Sequence, residues 1–475
     1  MANSQAAEPA TASVLHLTWA GHPRGAYLVA FTELWERFSY WGLAGLLVLY
    51  LTASPQAGGW GWDNADAVKL YGWYGGLAFA LPAIGAWLAN NHLGERRCIF
   101  WGGLSIALGH FLLASPVLFP WAWQVLMPGD AGPAALEHAR QAGHGAFLGG
   151  LLLIVSGTGL LKPTISSIVA QLYPSGGARR DEAFAYFFVA IYIGALFGAL
   201  VTGYLGERAG WHYGLGAAGV GMLIGLALYL ALQNRWLGDI GREPIRRVAA
   251  TDHAPLTREE RHRIGVVLAQ GLFTIAYAAG FYQMYGLLNI YARDELDRNI
   301  GGFVVPTPWM QTISLCSFFV CVPATAWLWR RMARRNRNPS ASYKLAMGLG
   351  VMAVAYSIMI FAEAVHGDAK PSFLWLGATY VLFGLSDSLV WANQVSLTSK
   401  LAPARYSAFF IGAWYMCIGI GTWLTGYIGA WAQGVPYGTV FIWLTLGCAL
   451  AAATIGLATP LLRRYMHGAE HLEMA

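Results

Sequence analysis

The sequence predicts an all-α membrane protein of twelve transmembrane helices, and three observations predict it. Its 475 residues are 56% hydrophobic and only 11% charged, too little charge to cover a water-facing surface of that length. It contains twelve apolar stretches of the length, about 20 residues, that a hydrocarbon core requires. They lie at 26–52, 68–90, 98–119, 145–172, 183–206, 210–234, 263–293, 308–330, 343–366, 372–400, 405–432 and 436–462. Finally, 22 of the 30 Lys and Arg residues fall on one side if both termini are cytoplasmic, against six on the other. Arg37 and Lys162 remain inside spans, and the bias predicts an N-in, C-in topology.

The net charge of +6 follows from these cytoplasmic loops, so no nucleic-acid partner is read from it. Residues 1–25 form a polar cytoplasmic tail without the pattern of a cleavable leader, and the first helix is expected to direct insertion. Cys98, Cys316, Cys321, Cys417 and Cys448 lie in or beside spans without metal-like spacing, so neither disulfides nor a metal site is expected. Trp60 and Trp62 in "GGWGWDN", with Trp121 and Trp123, read as interfacial anchors.

The longest cytoplasmic connection, 235–262, divides the chain into a first six-helix bundle, 26–234, and a second, 263–462, followed by a tail at 463–475. Two bundles joined by a linker suggest halves that rock about a central site. Within the linker, Thr257 with Glu260 three residues on marks a helix start, read as a short amphipathic helix on the membrane surface. Gly149, Gly150 and Gly157 through Gly159 are expected to permit close helix packing.

The first stretch contains "ELWERFSYWG", residues 33–42. On a helix Glu33, Glu36, Arg37 and Tyr40 share one face, at i, i+3, i+4 and i+7. An ionised side chain in hydrocarbon costs roughly 2.5–3.5 kcal/mol even on mild insertion scales, so this face must look into a bundle interior or a wet cavity. A self-neutralising pair that merely pins the helix accounts for one Glu and Arg37, not for a second carboxylate one turn away. A surplus acid beside a cation is a proton switch. Lys162 lies deep in the fourth stretch before Pro163, which frees a backbone carbonyl. Its expected carboxylate partner is Asp387 in "GLSDSLVWANQ", where Trp391 and Gln394 share its face. His110 has no acid at helical spacing and reads as a core histidine.

These motifs resemble the proton-dependent oligopeptide transporters, the peptide branch of the major facilitator superfamily. "ELWERFSYWG" is similar to that family's ExxERFxYYG signature, and "GHPRGAY" (21–27) to its preamble. "GTGLLKPTIS" (157–166), "AFAYFFVAIYIGAL" (183–196) and "LTSKLAPARY" (397–406) resemble its helix 4, helix 5 and helix 10–11 segments. "GAWLANNHLGERR" (85–97) and "RRMARRNRN" (330–338) occupy equivalent places in the two halves and resemble the superfamily's cytoplasmic loop, with Asn90 where Asp is usual.

The resemblance implies the major facilitator fold and a proton-coupled importer of di- and tripeptides in a bacterial inner membrane. It would work as a monomer by alternating access, with protons as the driving partner and no cofactor. Glu33, Glu36, Arg37, Lys162 and Asp387 would couple protons to transport. Arg37 and Lys162 would bind the substrate carboxylate and Asp387 its amino group, while Tyr40, Trp41 and Trp391 would line the pocket. Tyr192, Gln283 and Ser314 fall at substrate-facing positions of the family.

The chain departs from the family at several of these places. Ala44 and Gln283 stand where many members carry a basic and an acidic residue that form an outer gate, so that gate must close by hydrogen bonding or packing. Tyr192 and Ser314 replace asparagines and Phe79 a tyrosine, which predicts a smaller pocket or a different ligand. A non-peptide zwitterion or carboxylate, imported or exported, is therefore a second reading. A non-transporting sensor is a third, opposed by the intact Glu33, Glu36, Lys162 and Asp387. No nucleophile–base pair, phosphate loop or metal cluster suggests an enzyme.

Overall fold

The computed structural model describes residues 18–118, 133–174, 177–244, 255–365, 367, 369–403 and 406–469. Twelve long helices follow in chain order: α1 Arg24–Thr52, α2 Asn64–Ala80, α3 Glu95–Leu113, α4 Pro133–Gln171, α5 Ala178–Arg208 and α6 Trp211–Leu237. Then come α7 Arg258–Phe281, α8 Thr307–Ala333, α9 Ala341–Val365, α10 Phe373–Leu401, α11 Ser407–Trp431 and α12 Tyr437–Met466. Nine of the helical segments among the described residues, α4 to α12, are long and apolar enough to cross a bilayer unaided. The other three have visible reasons: α1 carries Glu33, Glu36 and Arg37, α2 is only 17 residues long, and α3 opens on Glu95, Arg96 and Arg97.

Several boundaries differ from the sequence expectation. The 68–90 stretch is two helices, because Pro82 forces a restart after Leu81, and Pro82–Leu88 then runs into a π-helical turn at Ala89–Leu93 that holds Asn90. The expected linker helix is not separate. Thr257 accepts from Glu260 N, Glu260 caps Thr257 N in return, and this capped turn continues without a break into α7. α7 itself stops at a 3₁₀ turn, Tyr282–Tyr285, before resuming as Leu287–Asp294. Most of the N-terminal tail, the 245–254 core of the linker, Trp121, Trp123 and the last six residues lie outside the described residues.

By contact the chain divides into two compact units: residues up to Leu46 with Ala80–Ala249, and Leu47–Phe79 with everything from Ala250 on. This differs from a division at 26–234 and 263–462 by grouping 47–79 with the second unit.

In the first unit, Leu28, Ile99, Ile106, Leu161, Ile165, Met222 and Tyr229 belong to a single buried core. α1 is seated in it by backbone contact. A Cβ at Gly194 of α5 would stand 2.1 Å from the Leu34 carbonyl oxygen, and one at Gly198 would stand 2.5 Å from that of Phe38. On another side of α1, the Trp35 ring lies against Gly221 and Gly225 of α6. α4 and α3 approach at Gly150 and Gly157, as expected, whereas Gly149 has only ordinary contacts. Pro163 cannot donate to the Gly159 carbonyl, and against that carbonyl sits Gly85, whose Cβ would be 1.9 Å from the oxygen.

In the second unit, α2 packs on α11 through glycines: a Cβ at Gly72 would meet the Trp423 carbonyl oxygen at 2.8 Å, and one at Gly426 that of Val68 at 2.6 Å. Arg293 bonds the Thr52 hydroxyl, and the loop after α1 folds back through Trp62 N to the Leu51 carbonyl (2.8 Å). Between α7 and α8 a hairpin of β1 Asn299–Ile300 and β2 Phe303–Val304 turns on Gly301 and Gly302, both at positive φ.

Candidate functional site: a buried ion cluster and a buried acid

In the first unit, α1 carries a cluster of buried charges. Glu33, Glu36 and Arg37 are 2%, 0% and 4% exposed, at a depth where unpaired charge is not tolerated. The Arg37 guanidinium holds both carboxylates: its Nε lies 3.2 Å from Glu33 Oε1, and its Nε and Nη2 meet Glu36 Oε2. Its Cζ also lies 5.2 Å from the Tyr40 ring centroid. The helical spacing read from the sequence thus becomes one cluster, on a helix that α5 and α6 approach closely at Gly194, Gly198, Gly221 and Gly225.

Each carboxylate keeps a second oxygen, Glu33 Oε2 and Glu36 Oε1, buried without a hydrogen-bond partner among the described residues. Lys162 on α4 is half-buried and close enough to feel the charges of Glu36, Glu33 and Arg37. The sequence pairs Lys162 with Asp387; within this unit the acids nearest its charge are those of α1. Two anions and two cations make a set that is neutral when all four are ionised. Tyr40 is buried with its ring centroid 4.8 Å from that of half-buried Trp41, and Tyr192 is half-buried on α5 two residues before Gly194. His110 is fully buried with Nε2 2.9 Å from the Ser39 hydroxyl, as a core histidine should be.

The second unit buries one acid in a wall of aromatic rings. Asp387 on α10 is 8% exposed, and its Oδ1 accepts a hydrogen bond of 2.8 Å from the Tyr277 hydroxyl on α7. Tyr277 is fixed by stacking: its ring lies 5.6 Å from Phe281, which lies 5.7 Å from Phe383, which meets Tyr356 at 5.5 Å. Sequence reasoning missed Tyr277, since 110 residues separate it from Asp387 and no periodicity links them. Trp391 is half-buried against Trp414 (5.0 Å) and Tyr415 (6.2 Å).

Other expected site positions are engaged in helix packing. Gln283 is fully buried in the 3₁₀ turn, and its amide donates to the carbonyls of Ala279 (3.2 Å) and Thr425 (3.3 Å), tying α7 to α11. Ser314 is buried where Gly384 of α10 would press a Cβ to 2.5 Å from its carbonyl oxygen. Phe79 packs edge-on to Tyr282 at 5.6 Å. Gln394, expected on the Asp387 face, donates instead to the Ala341 carbonyl at 3.0 Å and is fully buried. No group of three or more potential metal ligands occurs among the described residues.

Among the described residues, the long helices bury the Glu33, Glu36 and Arg37 cluster in one unit and Asp387 in the other. The family model described as "PTR2: POT family" matches residues 96–244 and 248–440, and the chain belongs to that family. It is 28% identical to an uncharacterized transporter, YclF, of Bacillus subtilis, over 94% of this chain and 96% of that one. It is 26% identical to the peptide transporter YePEPT of Yersinia enterocolitica over 96% and 98%, and 26% identical to dipeptide and tripeptide permease A of Escherichia coli over 93% of each. Among solved structures it matches the peptide transporter POT bound to alafosfalin with a TM-score of 0.85 and 26% identity, covering 96% of this chain and 99% of that one. The fold is that of the major facilitator superfamily, in twelve transmembrane helices.

Proposed function

We propose that the protein is a proton-coupled symporter that imports di- and tripeptides or peptide-like molecules across a bacterial inner membrane by alternating access. The observation that carries this reading is the buried Glu33–Glu36–Arg37 cluster with Lys162 beside it. A set that is neutral when fully ionised cannot accept a substrate carboxylate at Arg37 or Lys162 without becoming a buried net anion. Protonation of Glu33 or Glu36 restores neutrality, so the two arrivals favour each other by charge balance. Each of these acids has an oxygen without a hydrogen-bond partner among the described residues, and that oxygen can take the proton.

Asp387 takes the substrate's amino group, with the Tyr277 hydroxyl holding the carboxylate in place until it arrives. Tyr40, Trp41, Tyr192 and Trp391 line the substrate's path. Binding an ammonium at one end and a carboxylate at the other measures length and ignores side chains, the logic of a short-peptide carrier. The names of the relatives support a peptide substrate, and the protein is expected to act as a monomer.

The test is uptake of dialanine and trialanine by proteoliposomes of the purified protein under an imposed inward proton gradient. Saturable uptake that a protonophore collapses is the expected result. Folded protein that takes up neither peptide, yet is stabilised by another zwitterion, would replace the peptide reading with the second one.

A further inference from the structure

The cytoplasmic ends of α8, α9, α10 and α12 enclose a cavity of about 470 Å³. Three cations line it, Lys344, Lys400 and Arg463, with the amides of Asn336, Asn338 and Asn393, and no described lining residue is an acid. Lys344 is 7% exposed, held by the Asn393 side-chain oxygen at 3.1 Å and by the Trp329 ring, whose centroid is 4.9 Å from Nζ. The charge of Lys400 is near enough to act on it. Two ammonium groups that repel each other in a part-buried cavity, one of them answered by a neutral amide and a ring, are unfavourable unless an anion joins them.

The first half shows what the corresponding place looks like when the chain itself supplies the partners of the cation. There Arg96 donates to the carbonyls of Ile240 (2.8 Å) and Gly238 (2.6 Å) and to the Asn234 side chain (3.2 Å). Glu95 beside it supplies a carboxylate, held by Gln171 at 2.6 Å. In the second half, the loop "RRMARRNRN" adds cations and no acid, and no described residue lining the cavity supplies a carboxylate.

We propose that this cavity binds a phosphate-bearing anion, seated against Lys344, Lys400 and Arg463 with the asparagine amides as additional donors. A compact oxyanion with several acceptors matches three cations and three amides, and it removes the repulsion between the lysines. The site opens on the face of the membrane where anionic headgroups concentrate. Exposed Trp327, with Arg331 5.3 Å over its ring, marks the interface at the same end of α8. A phospholipid headgroup and free inorganic phosphate share this chemistry.

Thermal unfolding of the full chain in uncharged detergent separates them. Three additions are compared: phosphatidylglycerol, phosphatidylcholine, and inorganic phosphate against chloride at equal ionic strength. Wild type is expected to be half-stabilised at an about tenfold lower concentration of phosphatidylglycerol than of phosphatidylcholine, since each cation near an anionic surface contributes substantially. Lys400→Gln with Arg463→Gln should abolish that preference, and Lys69→Gln on the opposite face should keep it. Protection by phosphate alone would assign the site to a free anion, and protection by the anionic lipid alone to a headgroup. Equal responses to all additions, or an unchanged preference in the Lys400/Arg463 double variant that unfolds at the wild-type temperature, overturns the proposal.

Discussion

Glu36 is fully buried, sits one residue from the cation that neutralises it, and keeps an oxygen with no hydrogen-bond partner among the described residues. That combination makes it the first residue to test. Glu36→Gln preserves shape and removes the proton site, so gradient-driven uptake should fall to background while substrate exchange partly survives; uptake that still follows the gradient would move coupling elsewhere. Lys162→Ala leaves the cluster with one cation for two acids, and transport should fall more than about tenfold, in line with the several kcal/mol that breaking a buried ion set costs. Wild-type rates would make Lys162 a packing residue. Tyr277→Phe keeps the ring stack and removes only the hydroxyl. A hydrogen bond to a charged group contributes roughly 1.5–3 kcal/mol, so KM for a peptide with a free amino group should shift by an order of magnitude or more. An unchanged KM would show that the hydroxyl does not position Asp387. The Glu33, Glu36, Arg37 and Tyr40 face was legible because local helical spacing alone creates it. The Tyr277–Asp387 bond was not, because it depends on how α7 and α10 lie against each other.

At the level of elements, helix-to-helix approach positions these side chains. Gly194 lets α5 lie against the Leu34 carbonyl, with Arg37 Cβ 3.1 Å from where its own Cβ would be. Gly194→Val must push α1 outward or distort it, at a cost of about 1–3 kcal/mol from overpacking. A lower unfolding temperature together with impaired proton coupling is expected, whereas Gly149→Val, at a looser position, should leave both near wild type. Equal behaviour of the two variants would count against a role for the α1–α5 contact in setting the cluster. The sequence disclosed the capping box at Thr257 and Glu260 but not its context: capping signals mark a start, and nothing local says how far the helix continues. It disclosed Gly150 and Gly157 as packing positions, yet it also nominated Gly149, which faces a different direction on the same helix. The break at Leu81 was signalled by Pro82, and hydropathy averaged over a window conceals such a break.

Across the whole molecule, composition and the distribution of Lys and Arg give the membrane class, the twelve spans and the orientation, because lipid imposes those constraints on every segment alike. Family motifs then nominate the residues proposed for the chemistry. Gln283 and Gln394 mark where that reading stops, since a buried amide on a helix face serves a pocket or a neighbouring backbone equally well, and here both donate to carbonyls. On the proposed mechanism, a substrate carboxylate and a proton enter together because the buried charge must balance. The most direct measurement follows the internal pH of proteoliposomes, without an imposed gradient, as dialanine is added outside. Dialanine is expected to acidify the lumen with wild-type protein and not with Glu36→Gln. Dialanine entry without acidification in wild type, or acidification undiminished in Glu36→Gln, would contradict it.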